Sequence, residues 1–183
     1  MTIAAVLMAV GMAVLPADAQ QKAANEGDRK LRIGDPAPPL KQGVYLKGEP
    51  VKGYEKGTVY VIEFWATWCA PCVKAIPHLT ELQDEYGDKV VIIGQTVSER
   101  QNEKIVKSFV TKMGDRMNYR VAMDDNSEIP AGYMTASFRK ASGHMALPLS
   151  VIVDQEGRVA WLGHPGGLVY GLKKIVGGSG ETD

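Results

Sequence analysis

Cys69 and Cys72 are the only cysteines in a chain of 183 residues, and Ala70 and Pro71 alone separate them. Closing so short a loop gains little as a structural staple. Two thiols at this spacing suit reversible disulfide chemistry better. They follow Val59–Trp65, a strand-like run of β-branched and aromatic residues, and they open a helical pattern. Cys69 therefore falls at a helix amino terminus. There it faces unpaired N–H groups and the positive end of the dipole, which favour thiolate over thiol. Its pKa is expected to lie below the free value of about 8.5. Pro71 suits the first helical turn, where its missing N–H is not needed. Cys72, one turn later, is expected to be the more buried, resolving thiol.

The expected reaction has two exchanges. Cys69 attacks a substrate disulfide to form a mixed disulfide. Cys72 then attacks Cys69, releases the substrate and leaves the Cys69–Cys72 bond. Cys72 must lose a proton in a dry site, so a base nearby would help. Glu63 lies on the preceding strand, inside Val-Ile-Glu-Phe-Trp. A carboxylate buried there without a partner is costly, and its pKa rises into a range suited to exchanging a proton with a thiol. The plainer reading leaves Glu63 as a strand residue facing solvent. Trp68 could rim the site and touch substrate, whereas Trp65 reads as core.

Other chemistries fit less well. A zinc site needs four ligands, and His78, His144 and His164 are scattered without a companion motif. No metal site is expected. The cofactor is the dithiol itself. A thiol peroxidase would show Pro-x-x-x-Thr-x-x-Cys, but Ile62 and Ala66 occupy the Pro and Thr positions before Cys69. A cuprous-ion module and a non-catalytic adaptor stay open. The first would bind copper without disulfide exchange. The second would hold its partner with both cysteines replaced.

The elements that must position these residues can be read from periodicity. Val44–Val51 reads as a small β-hairpin across Gly48-Glu-Pro. Val59–Trp65 is mostly apolar, as a strand buried on both faces should be. Ile76, Leu79, Leu82 and Tyr86 mark a helix that Gly87-Asp88 ends, and Pro77 inside it should kink it. A strand over Val90–Gly94, a helix over Asn102–Met113 and a strand over Tyr119–Met123 follow. Ile129–Ala141 reads as a further helix, with Pro130 in its first turn. Leu149–Val153 and Arg158–Leu162 form a hairpin across Asp154-Gln-Glu-Gly157, and Leu168–Val176 is a last helix. Strands alternating with helices predict an α/β domain: a mixed sheet flanked by helices, antiparallel at the hairpin edge.

The gross composition agrees with one domain over residues 34–176. Hydrophobic residues make up 45% and charged residues 23% of the chain, too apolar for disorder. Lys and Arg balance Asp and Glu at 21 each, so no basic stripe supports nucleic-acid binding. Residues 1–19 read as a signal peptide. Ile3–Leu15 is an uncharged apolar run, Pro16 breaks it, and Ala17-Asp-Ala19 has the small-x-small form of a cleavage site. No Lys or Arg precedes the run, and an uncleaved anchor is the alternative. The protein is thus expected to be exported, for example to a periplasm. Residues 20–33 read as a flexible leader and 177–183 as a flexible tail.

Glu-Phe-Trp-Ala-x-Trp-Cys-x-Pro-Cys, with Pro77 five positions beyond Cys72, resembles the thioredoxins. The exported form, with an amino-terminal hairpin and an inserted helix, resembles the TlpA-like periplasmic thiol-disulfide oxidoreductases. Gly34-Asp-Pro-Ala-Pro and Val151-Ile-Val-Asp-x-x-Gly support the likeness more weakly. The resemblance implies a thioredoxin-like fold and reduction of disulfide-containing protein substrates. It also implies a membrane-bound thiol-disulfide electron donor. It places Glu63 at the family's buried-acid position and Pro148 at its cis-proline, beside the active cysteines. Read alone, Pro148 is an ordinary strand-start proline. In the family, the residue before it, here Leu147, pairs its backbone with an extended substrate chain. Trp68, Pro71, Leu147 and Pro148 are thus the expected substrate-binding residues. Two departures stand out. Ala146-Leu-Pro-Leu149 replaces the usual Gly-Val/Ile-Pro-Thr, and Ala75 stands where many of the group carry Glu.

Overall fold

The computed structural model describes residues 30–97, 99 and 102–177. The expected signal peptide, most of the leader and residues 178–183 lie outside them. The architecture is organised around β2 (Val59–Trp65), in which every residue is buried. It pairs in parallel with β3 (Val90–Thr96) and antiparallel with β5 (Leu149–Val153). β3 continues in parallel to β4 (Arg120–Asp124), and β5 continues antiparallel to β6 (Val159–Gly163). With β1 (Gln42–Lys47) outermost, the sheet has six strands in the order β1-β4-β3-β2-β5-β6. The expected mixed sheet, antiparallel at its β5–β6 edge, is present.

Side chains alternate across β2, so the two faces carry different cores. Val59, Val61 and Trp65 point to the side covered by α1 (Ala70–Tyr86), α2 (Glu103–Met113) and α4 (Leu168–Gly177). Tyr60, Ile62 and Phe64 point to the other, under Met134 and Phe138 of α3, which spans 133–142. α1 buries Cys72, Ile76, Leu79 and Leu82, one helical stripe. It runs on through Pro77 as a single element; the proline deletes one ladder donor without ending the helix. Among the described residues no helix is long and apolar enough to cross a membrane.

Two expectations need correction. The amino-terminal hairpin does not form, because β1 pairs with β4 and residues 48–51 form no strand. Pro50 has no N–H to give a ladder. The Val51 N–H is instead taken by the Tyr45 hydroxyl at 3.1 Å. The helix expected from Ile129 starts at 133, because its cap lies elsewhere in the chain. The Asp124 carboxylate, at the end of β4, accepts from the Met134 N–H, the Thr135 N–H and the Thr135 hydroxyl at 2.8, 2.9 and 2.7 Å. It does for this helix what a sequence-local N-cap would do. The middle of α3, Thr135–Lys140, is wound as a π-helix.

Gly132 makes that cap possible. Its φ is +93°, and a Cβ there would lie 2.1 Å from Asp124 Oδ2. Gly132→Ala is expected to displace the carboxylate and force a strained φ, costing about 2 kcal/mol or more. A urea denaturation midpoint equal to that of the parent would refute this role for Asp124.

Candidate active site

The chain leaves β2 through Ala66-Thr67-Trp68 and turns into α1 at Cys69. The Cys69 N–H donates to the Ala66 carbonyl at 3.1 Å. Glu99, beyond the end of β3, pins the turn by accepting from the Thr67 N–H and from the Thr67 hydroxyl. Cys69 is the N-cap residue of α1, and its Sγ accepts the Cys72 N–H at 3.3 Å. Pro71 lies in the first turn, as its chemistry demands. The thiols are joined as a Cys69–Cys72 disulfide with Cα atoms 5.3 Å apart. Cys72 is 1% exposed and Cys69 5%, and only Cys69 faces the cavity described next.

That cavity holds about 1070 Å³ and lies directly against Cys69. Trp68, 64% exposed, and Pro71 form one wall, and Leu147 forms part of another. The Leu147–Pro148 bond is cis, so the expected isomer is present and its loop stands beside Cys69. Leu147 uses no backbone hydrogen bond in the turns and loops of the described residues. Trp65 is core, 2% exposed, packed on Phe109 at 5.4 Å between ring centroids. His144 is exposed and does not line the cavity.

Glu63 is buried, not solvent-facing. It lies on the β2 face shared by Val61 and Trp65, the face that α1 covers with Cys72. Burial pushes its carboxyl up to about 8, against the pull of a hydrogen bond from the Ser150 hydroxyl to Oε2. Oε1 has no partner among the described residues. Gly94, its register neighbour on β3, leaves room that Tyr119 and Trp65 occupy. Burial, and then the Glu63 charge, hold the Tyr119 hydroxyl well above its usual range.

Ser150, Glu99 and Arg139 are site residues that the sequence reading missed. A signal for Ser150 existed: it is the lone polar residue of Leu-Ser-Val-Ile-Val, and antiparallel register sets it opposite Glu63. Ser150→Ala removes the donor that favours the charged carboxylate. It is expected to raise the Glu63 titration by about one pH unit, with Ser150→Thr restoring it. The carboxyl stretch followed by infrared difference spectroscopy against pH checks this. An unchanged titration would free Glu63 from Ser150.

Among the described residues no three His, Cys, Asp or Glu side chains gather to share a metal ion. What the arrangement can do is exchange disulfides. One sulfur faces a cavity, the other does not, and a carboxyl with a raised pKa is buried on the sheet face that α1 covers.

Known proteins carry the same plan. The family described as Redoxin matches residues 32–167. Protein FixW of Rhizobium leguminosarum is 29% identical over 155 residues, which cover 81% of this chain and 68% of that protein. The thiol-disulfide oxidoreductase ResA of Bacillus thuringiensis (strain Al Hakam) is 33% identical over 132 residues, 71% of this chain and 68% of that protein. A thiol-disulfide isomerase from Corynebacterium glutamicum superposes with a TM-score of 0.64 at 20% identity, covering 80% of this chain and 98% of the other. A thiol:disulfide interchange protein from Bacteroides sp. does so at 0.63 and 23%, covering 82% and 94%. These last two share the fold. With a family match across most of its length and its dithiol at the start of α1, the chain belongs to the Redoxin family and is a TlpA-like thiol-disulfide oxidoreductase of the thioredoxin superfamily.

Proposed function

We propose that the protein is an exported reductant of disulfide-containing proteins. A membrane-bound thiol-disulfide donor returns it to the dithiol form. The observation that carries the chemistry is the division of labour between the sulfurs: Cys69 faces the cavity and Cys72 does not. Cys69 thiolate attacks one substrate sulfur and the other leaves as a thiolate. Cys72 gives its proton to the ionised fraction of Glu63, attacks Cys69, and expels the first substrate sulfur as a thiolate. The substrate gains two electrons; its two thiolates take up the proton that Glu63 passes on and the one that Cys69 had released to solvent, and the protein ends as the disulfide. No cofactor beyond the Cys69–Cys72 pair is invoked. Trp68, Pro71, Leu147 and Pro148 form the face on which the substrate chain lies, with Leu147 offering its backbone to an extended segment.

The direction rests on thiolate stabilisation. Strong oxidants of this chemistry have a greatly stabilised reduced form. In the disulfide form one N–H among the described residues, from Cys72, reaches Cys69 Sγ, which supports only modest help to the dipole of α1 in holding a thiolate. Export is supported by the apolar run over Ile3–Leu15 and the Ala17-Asp-Ala19 site. The deciding experiment is equilibration of the pair with a glutathione buffer, read by alkylation and mass. A potential near about −270 mV fits a reductant, and one near about −120 mV would make the protein an oxidant.

A further inference from the structure

The cavity beside Cys69 has an unusual floor. Arg139, on α3, lines it and is only 3% exposed. Its guanidinium has five N–H donors. Among the described residues it finds one acceptor, the Met145 carbonyl, while its Nε is buried without a partner. A cation so little exposed and so thinly bonded is costly unless something completes it.

The carboxylates around it are already engaged. Asp124 helps hold the cation through space, but its oxygens take the three donors that cap α3. Glu99, across the cavity, accepts both donors of Thr67. Arg139 is therefore the cavity's charged group with donors to spare. The rest of the lining is largely apolar, including Trp68, Met123 and Leu147. A mostly apolar pocket with one convergent cation orients a ligand through a single anionic group. A guanidinium fork matches a carboxylate in two parallel hydrogen bonds. The Met145 carbonyl that it clamps belongs to the same loop as Leu147, so the cation and the substrate-pairing backbone are held together.

We propose that Arg139 makes this cavity a carboxylate-reading subsite, which selects substrate polypeptides carrying an acidic side chain close to the disulfide that Cys69 attacks. This rests on the disulfide-exchange reading above and names the substrate class that it serves.

The test is a rate ratio. Reduced protein is mixed with three synthetic peptide disulfides that differ only in Glu, Gln or Lys two residues from the cysteine. The Glu peptide is expected to react about tenfold faster than the Gln peptide, with the Lys peptide slowest. Arg139→Gln is expected to bring the Glu-to-Gln ratio near one, and Arg139→Lys to keep part of it. Equal Glu and Gln rates in the unmodified chain, or a preference for Lys, would overturn the proposal without any variant having to fold. So would a full Glu preference in folded Arg139→Gln. Two small disulfides complete the set. Glutathione disulfide carries carboxylates and hydroxyethyl disulfide carries none. If Arg139→Gln narrows the gap between these two while leaving the peptide ratio intact, the subsite takes small anions and the polypeptide assignment fails. If the unmodified chain exchanges with none of the disulfides, the exchange reading falls and the subsite with it. If it exchanges with hydroxyethyl disulfide while the peptides show no ratio, the subsite alone falls.

Discussion

Cys69→Ser is expected to abolish disulfide exchange, by roughly a thousandfold or more, while Cys72→Ser stops it one step later with the substrate still attached. The two outcomes differ because the sulfurs stand in different places. Cys69 faces the cavity and caps α1, where the Cys72 N–H and the dipole stabilise a thiolate. Cys72 is 1% exposed and meets only a disulfide already delivered to Cys69. Intact-mass spectrometry of the Cys72→Ser protein with a peptide disulfide should show one added peptide, removable by a small thiol. The Cys69→Ser protein should show none. If limited alkylation of the reduced parent near neutral pH marked Cys72 first, the attacking and resolving assignments would be exchanged.

How far the site was legible depended on how local each cause was. The dithiol, Pro71 and the strand before them follow from residues adjacent in sequence, so their placement came out as expected. Burial of Glu63 was readable in part: Val-Ile-Glu-Phe-Trp is otherwise apolar, which favours a buried strand, but a solvent-facing Glu63 fitted the same run until the structure showed every residue of β2 buried. Its partner was less so, because Ser150 is distant in sequence and meets Glu63 only through strand register. Arg139 was hidden for a different reason. A lone Arg in a helix ordinarily reaches water, and here the loop carrying Met145 closes over it. The start of α3 was misplaced because Asp124, eleven residues before Thr135, supplies the cap. The absent hairpin shows a competition between partners. Val44–Lys47 had strand character, but β4 offered a complete edge and the segment after Gly48 did not.

Glu63→Gln is expected to stabilise the fold and slow the enzyme at once. In the folded chain the carboxyl titrates near 8, above the ordinary 4.5 that it regains on unfolding. Below about pH 4.5 both states hold the proton, and the group costs nothing. Between 4.5 and 8 the unfolded state has released its proton and the folded state has not, so stability falls as pH rises. Above about 8 the loss is complete, on the order of 3 kcal/mol once relaxation around the site is allowed for. The substituted amide cannot ionise, so that slope disappears. It keeps an oxygen for the Ser150 hydroxyl, and its nitrogen stands where Oε1 already lacks a partner. Urea denaturation at pH 5 and pH 8 should therefore find the variant within about 1 kcal/mol of the parent at the lower pH and clearly more stable at the higher. Parallel curves for the two proteins would mean that some other group titrates. The kinetic half needs stopped-flow traces that separate the two exchanges. Attack by Cys69 should change little, since Cys69 answers to the helix terminus. Attack by Cys72 should slow by about ten- to a hundredfold, since its proton has lost its acceptor. Were both steps slowed equally, or neither, Glu63 would be left as a buried acid with a cost in stability and no part in the proton transfer.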